Sequence, residues 1–135
     1  MIGLDTSHVV QFANLLNDAS DPHHVPGGCV VAAFPDGSPH FSLSAGRLEK
    51  FTDELRAKHQ IRMADSIEDL PLDLDAILLE SVDGSQHLAQ FRRIADRRVP
   101  VFVDKPLASS LEDAREIVRI AAECAVPLMS CSALR

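Results

Sequence analysis

Four apolar runs in this chain are continuous rather than alternating, and no other feature constrains its fold as much. Cys29-Val30-Val31-Ala32-Ala33-Phe34, Ala76-Ile77-Leu78-Leu79, Val101-Phe102-Val103 and Pro127-Leu128-Met129-Ser130 read as strands without a solvent face. Such strands are buried on both sides, as in a parallel sheet covered by helices. Between them, apolar residues recur at helical spacing. Val9, Phe12, Ala13, Leu15 and Leu16 follow Thr6 and Ser7, either of which can cap; Leu48, Phe51 and Leu55 lead toward a strand near Ile61-Arg62-Met63. Leu88, Phe91, Ile94 and Ala95 mark a third helix with Ser85 near its start. Leu111, Ala114, Ile117, Val118, Ala121 and Ala122 mark a fourth, with Ser109 or Ser110 as cap and acidic Glu112 and Asp113 in the first turn. Strand–helix alternation predicts an α/β fold: a doubly wound, mostly parallel sheet with helices on both faces and right-handed crossovers. Residues 66–69 are expected to form a short helical turn, and residues 35–44, with Pro, Gly and Ser, a long loop.

A chain of 135 residues suits one domain, here spanning 1–135. Only Met1 and Ile2 precede Gly3, so the first strand is expected to be a stub or to begin outside the chain. The formal charge of −7 argues against a nucleic-acid partner, because phosphate neutralisation needs clustered Lys and Arg. With no Trp and no Tyr, base-stacking platforms are not expected either. No apolar run approaches a membrane span, and no signal-peptide pattern opens the chain. Cys29, Cys124 and Cys131 lack metal-like spacing and read as buried thiols of a reducing, cytoplasmic compartment. No metal site is read from the spacing of residues.

Chemistry in an open α/β sheet gathers at the carboxyl ends of its strands. The first turn reads Gly3-Leu4-Asp5-Thr6-Ser7-His8. Of the three glycines in a dinucleotide fingerprint, only Gly3 is present; Asp5 takes the place where backbone approaches a pyrophosphate, and His8 the place of tight helix packing. The helix start still offers free N–H groups to an anion, although the Asp5 carboxylate would oppose it. An ordinary capped turn explains the stretch equally well. Asp36, after the next strand, can hydrogen-bond an adenosine ribose or simply form an Asp-Gly turn with Gly37. His87 stands just inside a helix near the same edge, as a ligand contact or a capping histidine. Asp104-Lys105-Pro106 ends the run Val101-Phe102-Val103; Lys105 can present a charge or a proton to a ligand, or be a solvated loop residue.

Taken in order, Leu74-Asp75-Ala76-Ile77-Leu78-Leu79 followed by His87, then Val103-Asp104-Lys105-Pro106-Leu107, then Val126-Pro127-Leu128-Met129 with Arg135, resemble the N-terminal Rossmann-like domain of the Gfo/Idh/MocA oxidoreductases. The family typically has Glu-Lys-Pro where this chain has Asp104-Lys105-Pro106. Thr6-Ser7-His8 is similar to a variant of its glycine turn. The resemblance implies an NAD or NADP cofactor, weakly held here, contacted by Gly3, Asp5, Thr6, Ser7, His8, Asp36, His87, Asp104, Lys105 and Pro106. It implies that Lys105 meets the nicotinamide ribose and assists the substrate's reacting hydroxyl, as the catalytic residue, and that the Lys105–Pro106 bond is often cis. It implies a polyol or sugar-like substrate and a second, larger domain that carries a catalytic histidine and usually the homo-oligomer interface. The chain ends where that domain would begin, so inactivity of residues 1–135 alone is expected. A non-catalytic binding module, degenerate in its glycines, is the competing class.

Overall fold

The computed structural model describes residues 1–132; Arg135, read as part of the exit from the last strand, lies outside them. Strands β1 (Ala32–Ala33) and β2 (Arg62–Met63) pair in parallel. Strands β3 (Ile77–Leu79), β4 (Val101–Asp104) and β5 (Leu128–Cys131) form a second parallel set in the order β3-β4-β5. Ile2 joins the two sets through parallel bridges to Phe34 and Leu79. Its amide donates to the Leu78 carbonyl at 2.8 Å, and its own carbonyl accepts from the Glu80 amide at 2.7 Å. Counting Ile2 as the first strand, the order across the sheet is 3-2-1-4-5-6, the doubly wound arrangement of dinucleotide-binding domains.

Helices cover both faces. On one lie α1 (His8–Asn17) and α3 (Leu48–His59), which bury Val9, Ala13, Phe51 and Leu55 against Leu4 and Ala33. On the other lie α4 (His87–Ile94) and α5 (Leu111–Glu123), which bury Phe91, Ile94, Ile117 and Ala121 against Ile2, Ala32, Ile77, Leu79, Val101 and Val103. Neighbours Ala32 and Ala33 therefore serve opposite cores, and Leu78 packs away from Ile77 and Leu79. This explains the continuous apolar runs: successive side chains point to opposite faces, and both faces are dry. No helix among the described residues is long and apolar enough to cross a membrane.

Several local expectations are corrected. The run from Cys29 to Phe34 yields only two ladder residues, since the Asn17 side chain bonds both the amide and the carbonyl of Val30 at 2.8 Å and holds that end off the sheet. A short helix α2 (Ser42–Ala45) begins inside the expected loop. Residues 66–69 form a turn, not a helix, with the Ser66 hydroxyl accepting from the Asp69 amide. Ser7 precedes α1 without a side-chain cap, and Thr6 Oγ1 makes only a long 3.4 Å contact with the His8 amide. Ser110, in contrast, accepts from the Asp113 amide at 3.0 Å and caps α5. Cys29 is exposed and Cys124 and Cys131 are half-buried, so none is the sealed thiol expected.

Candidate active site

Parallel strands bring the loops after Ile2, β1, β3 and β4 to one edge, and with them Gly3, Asp36, His87 and Lys105. Gly3 sits where the strand order reverses, with φ +79°. A Cβ there would lie 2.2 Å from Ser81 Oγ and 2.5 Å from the Ser81 amide nitrogen. Only glycine lets the first turn lie this close on the loop after β3. α1 starts beside it with no side-chain cap on Ser7; its His8 and Val9 amides make only long 3.4 Å contacts with Thr6, which a stronger acceptor could replace.

The other residues of the first turn divide. Asp5 is fully buried; its Oδ1 accepts from the Val82 amide at 2.9 Å, while Oδ2 has no partner. Thr6 is buried and Ser7 exposed. His8 Nδ1 donates to Asp104 Oδ2 at 2.8 Å, across 96 residues of sequence. The Lys105 ammonium lies 3.5 Å from the same oxygen. Asp104 is thus nearly buried between the His8 imidazole and the Lys105 ammonium, and the Lys105 side chain is 43% exposed. The Lys105–Pro106 peptide is cis, and Pro106 packs over Gly84, where a Cβ would come within 2.8 Å of its ring.

Asp36 and His87 are committed to the protein. Asp36 Oδ1 accepts from the Gly37 amide and Oδ2 from the Gln90 side-chain amide, each at 2.9 Å. His87 has no exposed surface; Nε2 lies 2.8 Å from the Ser81 carbonyl and Nδ1 3.2 Å from that of Leu107. It ties the loop after β3 to the loop after β4. The structure therefore brings His8, Asp104 and Lys105 into contact, keeps Gly3 on the same edge, buries Asp5, bonds Asp36 to Gly37 and Gln90, and encloses His87.

Sequence reasoning passed over Glu80. It ends the apolar run of β3 just as Asp104 ends that of β4, and that parallel was its one available signal. Glu80 is fully buried, and neither carboxylate oxygen has a hydrogen-bond partner among the described residues. Burial, helped by the charge of Asp104, pushes its carboxyl up to about 8. The folded state holds this proton where the unfolded chain, near 4.5, has lost it. The associated stability is complete below about pH 4.5 and falls away as pH rises toward about 8, at up to about 1.4 kcal/mol per unit. In metal-free buffer Glu80→Gln should flatten this decline, as urea unfolding at the two ends of the window would measure. An unchanged slope would remove Glu80 from the balance.

A cavity of about 210 Å³ lies beside this cluster, lined by His8, Phe12, Phe102, Asp104 and Cys131. A larger cleft of about 910 Å³ lies at the other edge, among Val30, Asp75 and Ala76 near the strand starts. Ligands of open sheets bind at the carboxyl ends, which is the edge the smaller cavity occupies.

Residues 30–131 match the family model described as oxidoreductase family, NAD-binding Rossmann fold, of the Gfo/Idh/MocA group. The matched span includes Asp36, His87 and Asp104-Lys105-Pro106 and omits the first turn. No curated protein matches the chain in sequence. Among solved structures, it is similar to the dehydrogenase MviM of Clostridium difficile, with 25% identity and a TM-score of 0.67 over 96% of this chain and 37% of that one. The WlbA dehydrogenase of Bordetella pertussis, in complex with NADH and UDP-GlcNAcA, shares 19% identity with a TM-score of 0.69, covering 96% and 33%. The myo-inositol 2-dehydrogenase of Lactobacillus plantarum shares 19% with a TM-score of 0.66, covering 96% and 34%. The chain thus spans about a third of the length of these proteins.

Proposed function

The chain belongs to the Gfo/Idh/MocA oxidoreductase family, of which it carries the NAD-binding Rossmann domain, and from that premise we propose that it serves hydride transfer between NAD(P) and a polyol or sugar-like substrate. The observation that carries this reading is the reversal of strand order at Ile2, with glycine at the turn that follows and Lys105 on the same edge. The cofactor, when bound, accepts or gives the hydride. The Gly3 turn and the uncapped start of α1 would hold its phosphates, and Asp36 would reach its ribose only by giving up the Gln90 contact. Lys105 would hold and pass a proton at the substrate oxygen, kept in place by Asp104, which His8 in turn orients. The names of the two dehydrogenases above, one with UDP-GlcNAcA and one for myo-inositol, support a hydroxylated substrate. His87 acts as a brace between loops in this scheme, not as a cofactor contact.

Binding is expected to be weak. Asp5 and Asp104 place carboxylates where a pyrophosphate would approach, and two glycines of the fingerprint are replaced. Calorimetric titration with NADH and NADPH should give a dissociation constant of tens of micromolar or weaker, about −6 kcal/mol. The same buried acids favour a second reading, a degenerate module that no longer takes a dinucleotide. Absence of heat at about 1 mM of either nucleotide would decide for that reading; binding at about 1 μM or tighter would show that the acids are neutralised in the complex.

A further inference from the structure

Glu80 has no part in the scheme above, yet it is the most unusual group at this edge. It has no exposed surface and no hydrogen-bond partner for either oxygen among the described residues. Asp104, nearly as buried, stands beside it. Ligand atoms of His8, Glu80 and Asp104 all lie within 4.8 Å of one another. Carboxylates withdrawn from water need a counter-charge or a donor. His8 and Lys105 both spend theirs on Asp104, and the Met1 amino group donates to the Ala32 carbonyl. No donor among the described residues satisfies Glu80.

We propose that His8, Glu80 and Asp104 form a binding site for a divalent transition metal. One imidazole nitrogen with two carboxylates is a borderline-to-hard donor set, suited to Mn²⁺, Fe²⁺ or Zn²⁺ and not to thiophilic ions. Bonds of about 2.0–2.2 Å would set the donors about 3–4 Å apart, so the observed spread closes with small side-chain movements. His8, with a side chain 27% exposed, leaves a way in from solvent, and the cavity of about 210 Å³ that it shares with Asp104 leaves room for further ligands. Lys105, 3.5 Å from Asp104 Oδ2, would oppose the ion, and its exposed side chain can turn away. The ion would offset the acidity that this edge otherwise presents to an anionic ligand. The site stands on the donor geometry alone, whether or not the chain binds a dinucleotide.

Manganese is the probe of choice because the three thiols compete poorly for it. The full chain, stripped with a chelator and titrated with Mn²⁺ under magnetic-resonance detection of the free ion, should bind one equivalent. Glu80→Gln, nearly the same shape, should weaken that binding about 100-fold or more, since losing even an outer partner of a ligand costs up to that much. His8→Ala, at the half-exposed start of α1, should do the same and carries the test if Glu80→Gln does not fold. No stoichiometric binding up to about 1 mM, or binding that both variants retain, would overturn the site.

Discussion

Lys105→Ala, in a form of this protein joined to a substrate domain, should lower turnover about 100-fold or more with the fold intact. Lys105 lies on a loop with a side chain 43% exposed, so its loss opens no cavity and leaves Asp104 its bond to His8. The deficit should fall on kcat more than on KM, because a proton passed to the reacting oxygen matters in the transition state. Lys105→Arg should not restore the rate, since a guanidinium keeps its proton. Neither the next helix nor the first turn offers a substitute: Arg119 on α5 is held by Glu116 and Glu123, and the His8 imidazole is held by Asp104. Residues 1–135 by themselves should turn over no polyol. Alignment of reactants supplies about 7–11 kcal/mol of such a barrier, and one wall of a cleft does not align two of them. An active long form indifferent to Lys105→Ala would remove the lysine from the chemistry.

Gly3→Ala should cost about 2–5 kcal/mol of stability, the sum of left-handed backbone strain and an overpacked contact. The added carbon would meet Ser81 N at 2.5 Å and Ser81 Cα at 2.7 Å, and these are backbone atoms of a loop that cannot step aside. At this chain length the melting temperature should drop by roughly 10–20 °C. Gly28→Ala is the control, because nothing lies within 4 Å of a Cβ built there. A loss below about 1 kcal/mol at Gly3 would mean that the loop after β3 yields more readily than its packing indicates.

The layering of this fold was legible because burial on both sheet faces leaves continuous apolar runs, and helix spacing marks what covers them. Strand lengths were not. β1 is trimmed by Asn17 reaching back to Val30, a contact across 13 residues that no pattern of apolarity records. Lys105 and Asp104 stood out as charges at the end of a buried run. Glu80 ended β3 in the same way, but the loop beyond it held a histidine, and a histidine draws the eye as a ligand. Position along the chain placed His87 at the right edge. Its enclosure depends on the Leu107 carbonyl, 20 residues on, and on Ser81 folding over it. Spacing reports the edge a residue occupies and not which neighbours close above it.

The loops at this edge are also fastened to one another. Asp5 takes the amide of Val82, 77 residues away; Gln86 reaches the Gly37 carbonyl, 49 away; Gln90 holds Asp36, 54 away; His87 spans the loops after β3 and β4. Loops left to themselves give up backbone freedom worth about 1–2 kcal/mol per residue when a ligand orders them. Here that ordering is complete when the chain folds. A guest would therefore meet a rim already set to its final shape, and its affinity would be governed by charge and fit at the rim instead of by the entropy of closing it.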